Sequence, residues 1–202
     1  MTRETPRDGI RPNPRGDWPR IDPTAFVDPS AQIMGNVHLG PRVYVGPQTV
    51  IRADEVGPDG TVQPVVIEEE SYIQDGVIIH SRGGSTVRIG GRSNIAHGVI
   101  IHGPADIGRS CFIALRASIY ASTLEDECWI GLGAVIMRAT VPSHTMVPAG
   151  AMIRSGSDIR GYRFTNVKEQ EYFDAVVEAS AEARDGYLTL YKDGIPKRPD
   201  SK

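Results

Sequence analysis

The feature that most constrains this chain is a six-residue beat. Ile89, Ile95, Ile101, Ile107, Ile113 and Ile119 follow one another at six-residue intervals. The same spacing runs through Val27, Ile33, Leu39, Val45 and Ile51, and then through Ile67, Ile73 and Ile79. After one-residue slips it continues at Leu124, Ile130 and Ile136, and at Val141, Val147 and Ile153. Neither the 3.6-residue period of an α-helix nor the simple alternation of a strand produces this spacing. Short strands with one inward aliphatic, each followed by a tight turn, do produce it, and they stack as a parallel β-helix of hexapeptide repeats.

A second column supports that reading. Two residues ahead of the aliphatics sit Ala31, Val37, Val43, Thr49, Val77, Ser93, Val99, Ala105, Cys111, Ala117, Cys128 and Ala134. Alternation turns these inward too, where a narrow interior admits only small groups. Cys111 and Cys128 are thereby read as buried, inert thiols, and two cysteines make no disulfide framework.

Three segments follow. Residues 1–20, rich in proline, read as an extended arm, either disordered or laid across a partner subunit. Residues 21–154 form the β-helix, interrupted by an excursion loop at 55–66 and a pause at 81–86. Residues 155–202 hold a connector, a helix of about five turns and a basic, proline-containing tail. The helix starts near Asn166, carries Phe173, Val176, Val177 and Ser180 on one face, and stops near Gly186.

The 202 residues suffice for one good-sized domain with an appendage. A net charge of −3 gives no electrostatic case for nucleic acid or an anionic membrane. No apolar run approaches the ~20 residues of a membrane span, and the N-terminal twenty lack the apolar core of a secretory signal. The expected compartment is the cytoplasm.

The beat also aims the histidines. Three hexads make one triangular turn, so residues eighteen apart stack. His80 and His102 are twenty-two apart, but the pause between Ile79 and Ile89 inserts four residues, which restores eighteen. Each follows its inward isoleucine by one, so both point outward from neighbouring strands ~4.8 Å apart, close enough to share a cation. His97 lies two past Ile95, near a corner, and reaches that cation only from a neighbouring subunit. This implies a closed oligomer with shared three-histidine sites, most simply a homotrimer. Three histidines with an open fourth position are the catalytic arrangement of zinc. His38 and His144 have no partner in register and read as surface groups. Gln74 and Asp75 share the face of His97, and Arg52, Asp54 and Glu55 stand at the mouth of the excursion loop. A carboxylate beside an arginine can orient it or accept a proton.

Three stretches together resemble the gamma-class carbonic anhydrases: Ile51 to Glu55, Ile73 to His80, and Ala96 to Ala105. The likeness covers roughly 21–153, to the archaeal-type enzyme and the N-terminal domain of the carboxysomal scaffold protein. It implies a left-handed β-helix, a homotrimer, and interfacial sites for zinc, or alternatively iron or cobalt, held by His80, His102 and a neighbour's His97. It implies reversible hydration of CO2 to bicarbonate by a metal-bound hydroxide. By the same likeness Arg52 and Asp54 form an interfacial salt bridge and Gln74 hydrogen-bonds the metal-bound water. Glu55 is a candidate for proton transfer, and Asn166 matches an asparagine near the CO2 pocket. Two departures stand out. The loop after His80 is short and has no carboxylate, and Tyr72 stands where an asparagine is expected. They keep open a weakly active or inactive relative that binds bicarbonate or serves in assembly. A hexapeptide acyltransferase is a third reading.

Overall fold

The computed structural model describes residues 9–193. Residues 1–8 of the arm and most of the basic tail lie outside them. Between them the chain winds into a left-handed parallel β-helix with three flat faces, followed by one long helix. Face 1, which holds Ile78–His80, has eight strands, and face 2, with Val87–Ile89, and face 3, with Asn94–Ile95, seven each; every strand but the first and last of a face pairs with those one coil before and after it. The pairing is parallel throughout, for example Ile79 with Ile51 and with Ile101.

The six-residue beat is the core. From Ile33 to Ile153 its members are at most 3% exposed. The column of small residues is buried beside them, including Cys111 and Cys128, both free thiols. Cys128 alongside, together with burial, pushes the Cys111 thiol well above its ordinary value, which removes the reactive thiolate. The corners repeat one conformation. Arg42, Gln48, Glu70, Arg92, Ser110, Arg116 and Glu127 hold φ between 52° and 60°, with Gly76, Gly98 and Gly133 at the equivalent places. Left-handed φ at a non-glycine residue costs on the order of 1 kcal/mol, which the continuous ladder of backbone hydrogen bonds on either side offsets.

Two expectations about the ends are revised. The N-terminal segment from Ile10 onward lies on its own chain. Ile10–Arg11 pairs with Gln32–Gly35 and Arg20–Ile21 with Val37–Leu39. The Asn13 amide ties it down by donating to the Ala53 carbonyl at 3.2 Å, and its oxygen accepts from Arg15 N–H at 2.9 Å. These contacts cap the first coil, whose strands would otherwise expose an unpaired edge. The second revision concerns the helix, α1, which spans Val167–Asp193 and does not stop at Gly186. Beyond that glycine, Tyr187 stacks on Phe26 with centroids 5.2 Å apart and Leu188 joins the same cluster. That packing outweighs the ~1 kcal/mol a mid-helix glycine costs.

α1 covers the outer side of face 3. In this face the residue before each inward aliphatic points out, and in register these are Phe26, Tyr44, Tyr72, Asn94, Phe112, Trp129 and Met146. Five of the seven are aromatic, and Asn94 is the polar one. Phe173 and Val177 of α1 pack into that column as a second, smaller core. Arg184 anchors the far end by donating to the Arg42 carbonyl at 2.9 Å. No described helix is long and apolar enough to cross a membrane.

Candidate metal centre

The stacked pair is as the spacing requires. His80 and His102 are partners in adjacent strands, with ring centroids 5.1 Å apart and planes at 86°. Arg52 is the partner of His80 one coil before, and Tyr120 of His102 one coil after. Burial, and then the positive charge of Arg52, hold His80 below the usual imidazole range, so it is neutral at pH 7 and keeps a lone pair for a metal. His102 Nδ1 lies 3.0 Å from the Gly103 carbonyl. Donation there assigns the proton to Nδ1 and leaves Nε2 free.

Around them stand the excursion-loop residues. His80 Nε2 is 3.3 Å from Arg52 Nη2, 3.3 Å from Glu55 Oε1 and 3.5 Å from Asp54 Oδ1. Arg52 Nε and Asp54 Oδ1 are 3.3 Å apart, an ion pair by distance. The angle is too poor for a hydrogen bond, however, and Asp54 Oδ1 is buried with no hydrogen-bond partner among the described residues. Glu55 reaches His80 because the two insertions pack on each other. Its Oε2 accepts from Gly83 N–H at 3.1 Å, and a Cβ on Gly83 would come within 2.5 Å of the Val56 carbonyl. Glycine is what allows that backbone approach.

A second cluster lies on face 3. His97 Nδ1 is 3.7 Å from Asp75 Oδ2. Gln74 donates from Nε2 to Ser180 Oγ of α1 at 3.0 Å. Gln74 and His97 both line a cavity of about 340 Å³ roofed by α1. Within one chain, then, the candidate residues separate into two groups: Arg52, Asp54, Glu55, His80 and His102 on face 1, and Gln74, Asp75 and His97 on face 3. Among the described residues of one chain, no three potential ligands converge. The donor set nevertheless suits a divalent cation that a third ligand completes from another copy: two imidazoles on adjacent strands, beside an unsatisfied buried carboxylate oxygen.

Asn166 caps α1: its Oδ1 accepts from Lys168 and Glu169 N–H at 3.0 and 3.2 Å, while its own N–H donates to Glu169 Oε2 at 2.8 Å. It does not line the cavity with Gln74 and His97. His144 sits 3.1 Å from Glu127, and His38 lies on face 2. Sequence reasoning missed Asn94 and Ser180, which border that cavity. The signal for Asn94 was present as the one amide in a column of aromatic residues and a methionine.

The geometry defines a hexapeptide-repeat β-helix protein with paired, outward histidines and a helix-roofed cavity. No family model matches this chain. It is 29% identical over 212 residues to the carbonic anhydrase of Methanosarcina thermophila, across 88% of this chain and 81% of that protein. To the carboxysome assembly protein CcmM of Nostoc sp. it is 32% identical over 179 residues, 84% of this chain but 31% of the relative. It is 33% identical to the mitochondrial gamma carbonic anhydrase 1 of Arabidopsis thaliana over 142 residues, 70% of this chain and 45% of that one. The chain therefore spans about four-fifths of the archaeal relative and a third of the carboxysomal one. Among solved structures, a hexapeptide transferase family protein from Anaplasma phagocytophilum shares the fold, with a TM-score of 0.65 at 20% identity over 90% of this chain and 99% of that one. The chain is thus related in sequence to proteins bearing both the carbonic anhydrase and the carboxysome assembly names, as its motifs indicated.

Proposed function

We propose that this protein is a metal-dependent carbonic anhydrase, a closed homotrimer of cytoplasmic setting that hydrates CO2 reversibly at its subunit interfaces. The observation that carries the reading is the in-register His80–His102 pair, one ligand short within its own chain. His80 and His102 of one subunit, with His97 of a neighbouring copy, would hold zinc, with iron or cobalt as alternatives. When bound, the cation supplies Lewis-acid activation of water near neutral pH. The residues of this chain do the rest. The Arg52–Asp54 pair orients the histidine cluster from one side. Glu55 Oε1, within 3.3 Å of His80 Nε2 and partly exposed, accepts a proton and passes it to buffer. Gln74, fixed by Ser180, orients a water or substrate oxygen from the other subunit.

Association has its own support. Ile78 and Ile100, in the strands that carry the histidines, point outward and are 43% and 45% exposed, and Met152 further along the face is 58% exposed. With Val135 they line one outward column of that face, interrupted by Ser118, and exposed aliphatics of this kind suit burial against a second copy.

A second reading is a bicarbonate-binding or assembly subunit with little turnover. The loop 81–86 favours it, because it carries no carboxylate to relay protons. The test is CO2 hydration by zinc- and iron-loaded protein, with its mass in solution and His102→Ala as control. Turnover that His102→Ala abolishes is expected. Metal-loaded trimer hydrating CO2 no faster than buffer would replace the enzyme reading with the assembly one, and acetyl-CoA turnover would revive the acyltransferase.

A further inference from the structure

The loop that follows His80 carries no carboxylate, yet its backbone is fixed against one. Residues 82–85 form a tight turn. Ser85 N–H donates to the Arg82 carbonyl at 2.9 Å, and Gly84 holds φ at 78°, the sign a type II turn requires at its third residue. Ser81, buried at the base of the loop, donates its hydroxyl to the Ser85 carbonyl, and the Ser85 hydroxyl donates to the Arg82 carbonyl at 2.7 Å. The second residue of such a turn has no partner for its own N–H within the turn. Here that residue is Gly83, and its N–H donates to Glu55 Oε2 at 3.1 Å.

The Glu55 side chain is 46% exposed, and a glutamate so open to water has several rotamers available. The division of its two oxygens selects one of them. Oε2 takes the Gly83 N–H, a charge-assisted bond, and Oε1 is thereby left facing His80 Nε2 at 3.3 Å. The two loops meet backbone to backbone on both sides of that bond. A Cβ on Gly83 would lie 2.5 Å from the Val56 carbonyl, and one on Gly57 would lie 2.8 Å from Gly84 Cα. Val56 is the next residue after Glu55, so whatever pushes the loops apart moves the carboxylate with them.

We propose that Gly83 is a positioning residue for Glu55: its N–H holds one carboxylate oxygen, and its lack of a side chain lets the loops close, so that the other oxygen is aimed at the histidine pair. What that position is for rests on the carbonic anhydrase reading, in which Glu55 carries protons to buffer. The short loop then needs no carboxylate of its own. It aims the one supplied by the excursion loop, which answers the observation that favoured an inactive assembly subunit.

Two measurements test it. In metal-free protein, hydrogen exchange at the Gly83 amide is read in wild type and in Glu55→Ala, which removes an exposed side chain and leaves the core intact. Exchange should quicken roughly 10-fold or more in the variant, as for one lost bond to a charged acceptor. Equal rates overturn the proposal, whether or not the protein hydrates CO2. In metal-loaded protein, kcat and KM for CO2 are measured for Gly83→Ala, Glu55→Ala and the double variant. Gly83→Ala should lower kcat roughly 10- to 100-fold with KM and metal content little changed, as for a proton acceptor displaced by about 1 Å. Once Glu55 is alanine, the same substitution should lower kcat no further. An undiminished kcat in Gly83→Ala overturns the positioning role, and so does a full additional loss in the double variant, which would show that Gly83 acts through the fold. A Gly83 amide released by Glu55→Ala in a protein without turnover would instead sink the carbonic anhydrase reading and leave Gly83 as the anchor of Glu55.

Discussion

Ile100 and Ile101 are adjacent, chemically identical and opposite in role. Ile101 is fully buried in the interior of the coil, while Ile100 points outward and is nearly half exposed. Truncating a buried isoleucine to alanine costs about 2–5 kcal/mol, with the larger values where the walls cannot collapse. Here they are held apart by the ladder, with Ile78 N–H donating to Val99 O and Ile100 N–H to Ala117 O, each at 3.0 Å. Ile101→Ala therefore belongs in the upper part of the range, about 4 kcal/mol, or roughly 8–16 °C in Tm for a chain of this size. Ile100→Ala in an isolated subunit should cost no more than about 1 kcal/mol. If Ile100 is covered by a second copy, its truncation acts through association, and the shift in Tm then depends on protein concentration. The assay is thermal unfolding by circular dichroism of metal-free protein across a hundredfold range of concentration. A loss below about 1 kcal/mol for Ile101→Ala, or equal losses for the two, would refute the assignment of inward and outward residues on which the histidine geometry depends.

Two further outcomes are expected. Burial holds both His38 and His80 below the ordinary value of 6.5, so above that pH they are neutral whether folded or unfolded and add no pH dependence. As pH falls through 6.5 the unfolded chain takes up protons first and the metal-free protein loses stability, until the folded-state values are passed; urea midpoints that stay flat between pH 7.5 and 5 would contradict this. Asn166→Ala should cost about 1 kcal/mol and fray the start of α1, whereas Asn166→Ser, which keeps the cap, should not; hydrogen exchange at Lys168 and Glu169 reads it, and CO2 turnover that falls with the alanine while the helix start stays protected would return Asn166 to the substrate site.

What was legible in the sequence was whatever the period fixes. His80 and His102 could be stacked by counting, because a four-residue insertion leaves the coil register intact and the isoleucine before each histidine sets its direction. The inward cysteines followed from the same count. Contacts between insertions carry no period, so nothing in the sequence placed Glu55 against His80; that needed the glycines of two loops in backbone contact. The link from Gln74 to Ser180 spans 106 residues and depends on how α1 lies over face 3. Gly186 misled for a related reason: local propensity marked a stop, and Tyr187 and Leu188 found partners on the coil beyond it. Asn94 is the instructive omission, since its column was readable as Phe, Tyr, Tyr, Asn, Phe, Trp, Met along the face-3 strands.

A division of the ligands between two faces, as proposed, has a consequence that no single-chain site could reproduce. His97→Ala leaves a subunit with a sound His80–His102 pair, and His102→Ala leaves one with a sound His97. Neither homo-oligomer can complete a site. Unfolded together in equal amounts and refolded, the two variants assemble at random. An interface is then intact when a His97→Ala subunit presents its pair to a His102→Ala neighbour, which in a closed ring with one kind of contact occurs at about a quarter of interfaces. Tight metal binding should recover to about that fraction of wild type, and CO2 hydration with it if the enzyme reading holds. In such a ring the contact is heterologous, so the reverse pairing would contribute nothing and the fraction could not rise to a half. Separate variants that each bind metal as tightly as wild type would show that the third ligand is not His97. Mixtures with no recovery, from variants shown to co-assemble, would show that the two histidine clusters never meet.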